Sequence, residues 1–154
     1  FALVDGSRDH LLPWLQWVLD TKKPEDSFEA LQSFEQKWVN KKEFIYAIYM
    51  GKKYLGNVGF HHLNHEYNSS EIGYFIGKDF AHQGFMSEAV RLMEKEFFTQ
   101  GGHRLVIKCD EKNLASSGVA KKCGFKLEGK QVDAQLYKGE KKYRTDLIFV
   151  KFAK

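Results

Sequence analysis

The chain has 154 residues, 43% hydrophobic and 15% aromatic, enough apolar material for one domain-sized core, and its 29% charged residues suit a water-facing surface. No apolar run reaches the ~20 residues of a membrane span. No basic-then-apolar leader is visible, and two cysteines, Cys109 and Cys123, are too few for a disulfide scaffold, so the expectation is a reduced, cytoplasmic setting.

Charge is uneven. Residues 1–77 carry 8 Lys/Arg against 10 Asp/Glu, and residues 78–154 carry 16 against 10. A basic second half suits an anionic ligand such as a phosphorylated cofactor. There is no basic–aromatic stripe of the kind that grips nucleic acid, so direct nucleic-acid binding is not expected.

In chain order, Leu11–Leu19 has helical apolar spacing interrupted by Pro13, and Asp26-Ser27 is read as the cap of a helix over Phe28–Val39. Glu43–Met50 and Tyr54–Leu63 read as strands joined by a turn at Gly51-Lys52-Lys53. A polar turn, Asn64–Ser70, leads to a strand over Glu71–Gly77. The next helix spans Phe85–Thr99 with Met86, Val90, Met93 and Phe97 as its apolar stripe, and Gly101-Gly102 ends it. Arg104–Asp110 alternates as a central strand, Ala115–Lys122 is a short helix closed by Gly124, and Phe125–Leu136 and Tyr143–Phe152 form a final hairpin turning at Lys138-Gly139. The strand–helix–strand crossover at 71–110 demands a parallel pair, and the hairpins demand antiparallel ones. The expected architecture is a mixed-sheet α/β domain with its ligand at the C-terminal ends of the parallel strands.

Chemistry concentrates after two of these strands. The loop Lys78–Ser87 feeds a helix N-terminus, whose free N–H groups and dipole suit phosphate; Gly84 permits close backbone approach and Ser87 offers a hydroxyl. The second segment is Asn113-Leu114-Ala115-Ser116-Ser117-Gly118 through Gly124-Phe125.

Together with Glu71-Ile72-Gly73-Tyr74-Phe75-Ile76, Gly84-Phe85-Met86-Ser87-Glu88-Ala89, Ile107-Lys108-Cys109-Asp110 and Leu127-Glu128-Gly129, these residues resemble the GCN5-related N-acetyltransferase (GNAT) superfamily. Arg8, His10 and Leu11–Leu15 resemble the N-terminal part of its ribosomal-protein (RimJ/RimL-type) branch. The resemblance spans essentially the whole chain except the family's first strand, and residues upstream of Phe1 are expected to be missing. It implies a GNAT fold, with acetyl-CoA in the cleft at the parallel strands and no metal.

The resemblance also implies an acceptor amine, a protein N-terminus in this branch, and a homodimer. A small amine, such as a polyamine or aminoglycoside, and a non-catalytic acyl-CoA-binding module are the alternatives. By the same resemblance, Phe75, Ile76 and Gly77 line the pantetheine arm, and His82, Gln83, Gly84, Phe85, Met86 and Ser87 cradle the pyrophosphate. Asn113 holds pantetheine by its amide, and Ser116 returns a proton to the departing thiolate. Ala81 stands where the family has Gln or Arg, His82 where it has glycine, Ala120 where many members have a tyrosine acid, and Gln135 where some relatives carry a glutamate base. Glu71 and Asp133 are therefore the candidate bases, Asp133 because strand alternation puts it on the face of Gln135.

Other motifs have simpler readings. His61-His62-x-x-His65 resembles a metal cluster, but neighbouring strand residues point to opposite faces, so no metal site is expected. Trp14, Trp17 and Trp38 read as core or dimer contacts, Lys121-Lys122 as a solvated helix face, and Glu128-Gly129 as a turn or bulge.

Overall fold

The computed structural model describes residues 1–154. Two short helices, α1 (Ala2–Asp5) and α2 (Arg8–Leu11), precede a 3-10 turn at Gln16–Leu19 and a long helix, α3 (Pro24–Val39). Then come β1 (Phe44–Met50), β2 (Lys53–Asn64), β3 (Ser69–Ile76), α4 (Phe85–Thr99), β4 (Arg104–Asp110), α5 (Leu114–Lys122), β5 (Lys126–Gln135) and β6 (Arg144–Phe152).

The N-terminal expectations need correcting. Pro13 has no N–H to continue the ladder, so the segment Leu11–Leu19 turns instead of forming one helix. Helix α3 starts at Pro24, well placed at a first helical position, and not at Phe28. Asp26 lies inside its first turn and reaches back, its carboxylate accepting the N–H groups of Lys22 at 2.7 Å and Lys23 at 2.9 Å.

The six strands are ordered β1-β2-β3-β4-β6-β5. All neighbours are antiparallel except β3 and β4, which α4 connects by the crossover a parallel pair requires. That parallel pairing is brief. It joins Ser69–Glu71 to Arg104–Val106 and then stops, although β3 runs on to Ile76 and β4 to Asp110. The sheet is thus split in its middle.

Helix α4 lays Met86, Val90, Met93 and Phe97 on one face of the sheet, against Ile72, Leu105, Ile107 and Phe149. Val90 and Leu105 are 0% exposed; burying side chains of this size contributes about 1.5–3 kcal/mol each. On the other face Val4, Leu11 and Val18 form a smaller cluster that packs on Phe75. Alternation along β3 creates this division, sending Ile72, Tyr74 and Ile76 one way and Phe75 the other.

Strand β3 is also held by a close approach. A Cβ at Gly56 would lie 2.1 Å from the Phe75 carbonyl oxygen, a backbone atom that cannot swing away. Gly56→Ala is expected to push β3 off β2 and destabilise the fold by about 1–3 kcal/mol, the range for overpacking. An unchanged urea midpoint would show that this contact does not fix β3.

Candidate active site

The gap between β3 and β4 opens into a cavity of about 700 Å³. Its walls come from β3, the 81–87 loop with the start of α4, the end of β4, α5, and the N-terminal segment His10–Leu15. Gln135, Tyr137 and Asp146 close one end.

The gap exposes one edge of β3. Gly77 donates its N–H to the Leu55 carbonyl at 2.8 Å, so its backbone faces β2. Alternation of the antiparallel ladder puts Phe75 on that side too and leaves the N–H and C=O groups of Tyr74 and Ile76 facing the gap. Of the expected pantetheine-arm residues, Ile76 therefore offers backbone, Phe75 lines the cleft only by its side chain, and Gly77 lies outside it. Tyr74, like Ile76, turns its backbone to the gap, a phase that residue order alone does not set.

The loop after β3 leaves a row of backbone donors without protein partners. Gly84 sits at φ +90°, a left-handed conformation that glycine tolerates, and a Cβ there would meet nothing nearer than the Lys122 ammonium at 4.0 Å. Glu88 is the first residue of α4 whose N–H is used, donating to Gly84; none of the six N–H groups from His82 to Ser87 reaches a protein acceptor. They lie at the positive end of a 15-residue helix. His82, Gly84, Met86 and Ser87 line the cleft, whereas the side chains of Gln83 and Phe85 do not. His82 holds φ +61° without being glycine, at a cost of about 1–2 kcal/mol. It lies near enough to His10 that, after burial, its charge is the second influence lowering the His10 pKa. Lys122, expected to be only a solvated surface group, lines this end of the cleft.

Helix α5 supplies the middle of the site. Asn113 caps it, its Oδ1 accepting the Ser116 N–H at 3.0 Å, while its amide N–H groups have no protein partner. Ser116 Oγ lies 2.9 Å from the Tyr74 hydroxyl, which also reaches the Ser116 carbonyl at 3.2 Å. Burial pushes the Tyr74 pKa up, so this phenol stays protonated beside the serine. Cys109 lines the same cleft, and burial raises its thiol, keeping it neutral.

Three carboxylates, Glu71, Asp110 and Asp146, line the opposite part of the cavity. Glu71 pairs with Lys108 at 3.4 Å. Asp110 has Arg144 at 3.4 Å and the Lys112 N–H at 2.7 Å. Asp146 faces Asp110 across the β4–β6 ladder and accepts only the Gln135 side-chain amide, at 2.6 Å. Burial pushes its pKa up, a shift opposed by the Gln135 hydrogen bond and reinforced by the nearby charge of Asp110.

Asp133, by contrast, is exposed and does not line the cleft. The β5–β6 register is irregular between Gln131 and Gln135, and Asp133 itself takes φ +51°, so simple alternation fails there. Asp146 was not among the expected bases; its signal is its place in β6 immediately before the apolar run Leu147–Val150, where burying an acid is costly.

The remaining motifs resolve simply. No group of three or more His, Cys, Asp or Glu side chains is placed to hold a metal ion. His61 packs its ring over Gly73 and places Nδ1 3.5 Å from Glu43. Trp14 lines the cleft, Trp17 stacks on Phe75 at 5.2 Å, and Trp38 packs edge-on against Phe44 and Tyr46. The Glu128-Gly129 pair does mark a bulge, with the register shifting between Leu127 and Gly129.

The sequence model of the acetyltransferase (GNAT) domain family matches residues 6–126. The chain belongs to the GNAT acetyltransferases. Among its GNAT relatives, the ribosomal-protein-serine acetyltransferase of Escherichia coli (strain K12) is 25% identical over 84% of this chain and 73% of its own length. An uncharacterized N-acetyltransferase, p20, of Bacillus licheniformis is 31% identical over 55% of this chain and 48% of its own. Microcin C7 self-immunity acetyltransferase MccE, solved with acetyl-CoA and AMP, matches with a TM-score of 0.93 and 26% identity, covering 98% of this chain and 83% of that one. RimL, a ribosomal L7/L12 α-N-protein acetyltransferase solved with coenzyme A, shares the fold with a TM-score of 0.92 at 24% identity, over 99% and 85% of the two chains.

As a GNAT enzyme this protein is an N-acetyltransferase with acetyl-CoA as its cosubstrate, and its mixed sheet with the parallel β3–β4 pair is the GNAT fold. The residues present fit that cosubstrate. Unpartnered N–H groups and Lys122 meet the needs of a pyrophosphate, and the open edge of β3 meets those of a pantetheine amide chain. None of its helices is long and apolar enough to cross a membrane.

Proposed function

We propose that the protein acetylates the α-amino group at a protein N-terminus, with ribosomal proteins as the acceptor class. The observation that carries this reading is the acidic end of the cleft, where Glu71, Asp110 and Asp146 meet beside the N-terminal segment. A cationic amine is drawn to such a wall. The E. coli relative, whose name specifies a ribosomal-protein serine, supports the choice of a peptide amine.

The residues divide the work. Backbone amides of the 82–87 loop, aided by Lys122, hold the phosphates, and Tyr74, Ile76 and Asn113 hold the pantetheine arm. The gap-facing N–H of Ile76 or Tyr74 is positioned to stabilise the oxyanion as the thioester carbonyl is attacked. Ser116 protonates the departing sulfur, and the Tyr74 hydroxyl at 2.9 Å restores its proton. The donor contributes an activated acetyl group.

A second reading keeps the reaction and exchanges the acceptor for a small-molecule amine. The likeness to MccE, a self-immunity acetyltransferase, favours it. Thiol release measured with a serine-initiated peptide and with a diamine decides between them. We expect kcat/KM for the peptide to exceed that for the diamine by at least about 10-fold, equivalent to roughly 1.4 kcal/mol in transition-state binding. A reversed preference would replace the proposed acceptor class.

A further inference from the structure

We propose that Asp146 is the general base: buried in the cleft wall and held by the Gln135 amide, its carboxylate takes the proton that the acceptor ammonium must lose before attack. The proposal rests on the acetyltransferase reading with a cationic amine acceptor. It assigns the base to a residue outside the expected set of Glu71 and Asp133.

Three acids reach the cavity, and their partners differ in kind. Glu71 and Asp110 each face a cation, Lys108 and Arg144, and Asp110 also accepts the Lys112 N–H. Each of these two carboxylates is thus committed to a fixed cation. Asp146 is 4% exposed, and its hydrogen-bond partner is a neutral amide, 2.6 Å from Oδ2. It also stands directly opposite Asp110, 8% exposed, across the ladder. Asp146 itself makes no direct ion pair, and the like charge of Asp110 beside it favours its protonated form. The raised pKa of Asp146 agrees with this division.

The groups facing Asp146 are Lys108, Cys109 and Asp110 from β4, Glu71 from β3, Arg144 from its own strand, Tyr137 from the β5–β6 connection, and the Gln135 amide. Lys108 and Arg144 are already engaged with Glu71 and Asp110.

The step balances as follows. Asp146 takes one proton from the ammonium and later yields it to solvent. The neutral nitrogen attacks the thioester carbonyl carbon, so a C–N bond forms. The C–S bond then breaks, its electron pair going to sulfur, which takes the Ser116 hydroxyl proton. The excess proton left on nitrogen returns to Ser116 through the Tyr74 hydroxyl. The ammonium and the thioester become an amide, a thiol and one released proton.

The test compares Asp146→Asn, Glu71→Gln and Gln135→Leu with the unmodified protein across pH, by thiol release. Asp146→Asn is expected to lower kcat/KM by about 100- to 1,000-fold and to flatten the acid limb of the profile, as removal of a proton-transfer group does. Glu71→Gln removes a wall charge but not the proposed proton acceptor, so it should raise KM for the amine and leave the acid limb of the profile in place. Gln135→Leu removes the only neutral donor and should move the acid limb to higher pH, because the charged form of Asp146 loses its hydrogen bond. Coenzyme A should raise the melting temperature of all three variants as it does that of the unmodified protein.

Stability gives an independent reading. A carboxyl whose folded pKa lies above its unfolded value costs stability as pH rises through the folded pKa. Asp146→Asn should therefore melt no lower than the unmodified protein at neutral pH. With methoxyamine, an acceptor already neutral at assay pH, the Asp146→Asn deficit should shrink to within about 10-fold, because the deprotonation step is no longer required.

A kcat/KM within 3-fold of the unmodified protein with its acid limb intact would overturn the proposal. So would an equal deficit with methoxyamine and with the basic amine, which would mark Asp146 as structural. Peptide against diamine preference of the unmodified protein tests the acceptor class; the variant-to-unmodified ratio on the faster of the two tests the base. Either can fail alone.

Discussion

Gly84→Val is expected to weaken coenzyme A binding by at least about 100-fold, roughly 2.7 kcal/mol, and so to remove most of the ligand-induced rise in melting temperature. Two effects combine. The residue sits at φ +90°, where a β-branched side chain is strained, so the loop must refold around it. The added methyls would also enter the space beneath Lys122, now empty to 4.0 Å, beside the unpartnered N–H groups of residues 82–87. Calorimetric titration with coenzyme A measures the loss directly. A variant that folds, as judged by circular dichroism, and still binds within 3-fold would move the phosphate site away from this loop.

Ser116→Ala should act on the rate and not on binding. Its hydroxyl lies 2.9 Å from a phenol that burial keeps protonated, so it can give a proton and recover it without waiting for solvent. The thiolate it would serve forms only as the C–S bond breaks, which would place its contribution in the transition state. We expect kcat to fall by roughly 10- to 100-fold with KM for acetyl-CoA nearly unchanged, water replacing part of the function. Tyr74→Phe, which leaves the serine but removes its proton source, should give a smaller drop of the same kind. A raised KM with kcat intact in Ser116→Ala would make the serine a binding residue.

Much of the fold was legible because its signals are local. Helix α4 and strand β4 begin and end where periodicity and flanking residues place them, at Phe85–Thr99 and Arg104–Asp110. The stripe Met86, Val90, Met93 and Phe97 is buried as its spacing requires. What escaped was phase and long-range partnership. Nothing in the residue order says whether Phe75 or Tyr74 turns its backbone to β2, because that depends on how β2 registers against β3. Alternation carried Asp133 to the wrong place, because the β5–β6 ladder slips between Gln131 and Gln135. Asp146 and Asp110 meet only because β6 inserts between β4 and β5, a topology that chain order conceals. Lys122 read as surface because the helix that carries it shows one exposed side to solvent and the same side to the cleft.

The early end of the β3–β4 pairing has a mechanical consequence. Strands β1–β3 and β4–β6 form two half-sheets, joined by three residue pairs at one end and by α4 behind them. A pantetheine chain bonded to the open edge of β3 would act as a strut between the halves, replacing the missing ladder with ligand amides. Without it, that edge is a place where the sheet can breathe. Amide exchange at Tyr74 and Ile76 should then be among the fastest in the strand core, and should slow when coenzyme A is added, while Gly77, already bonded to Leu55, should change little. The cosubstrate would stiffen the enzyme before the acceptor arrives, an arrangement that favours the acetyl donor as the first of the two substrates to bind.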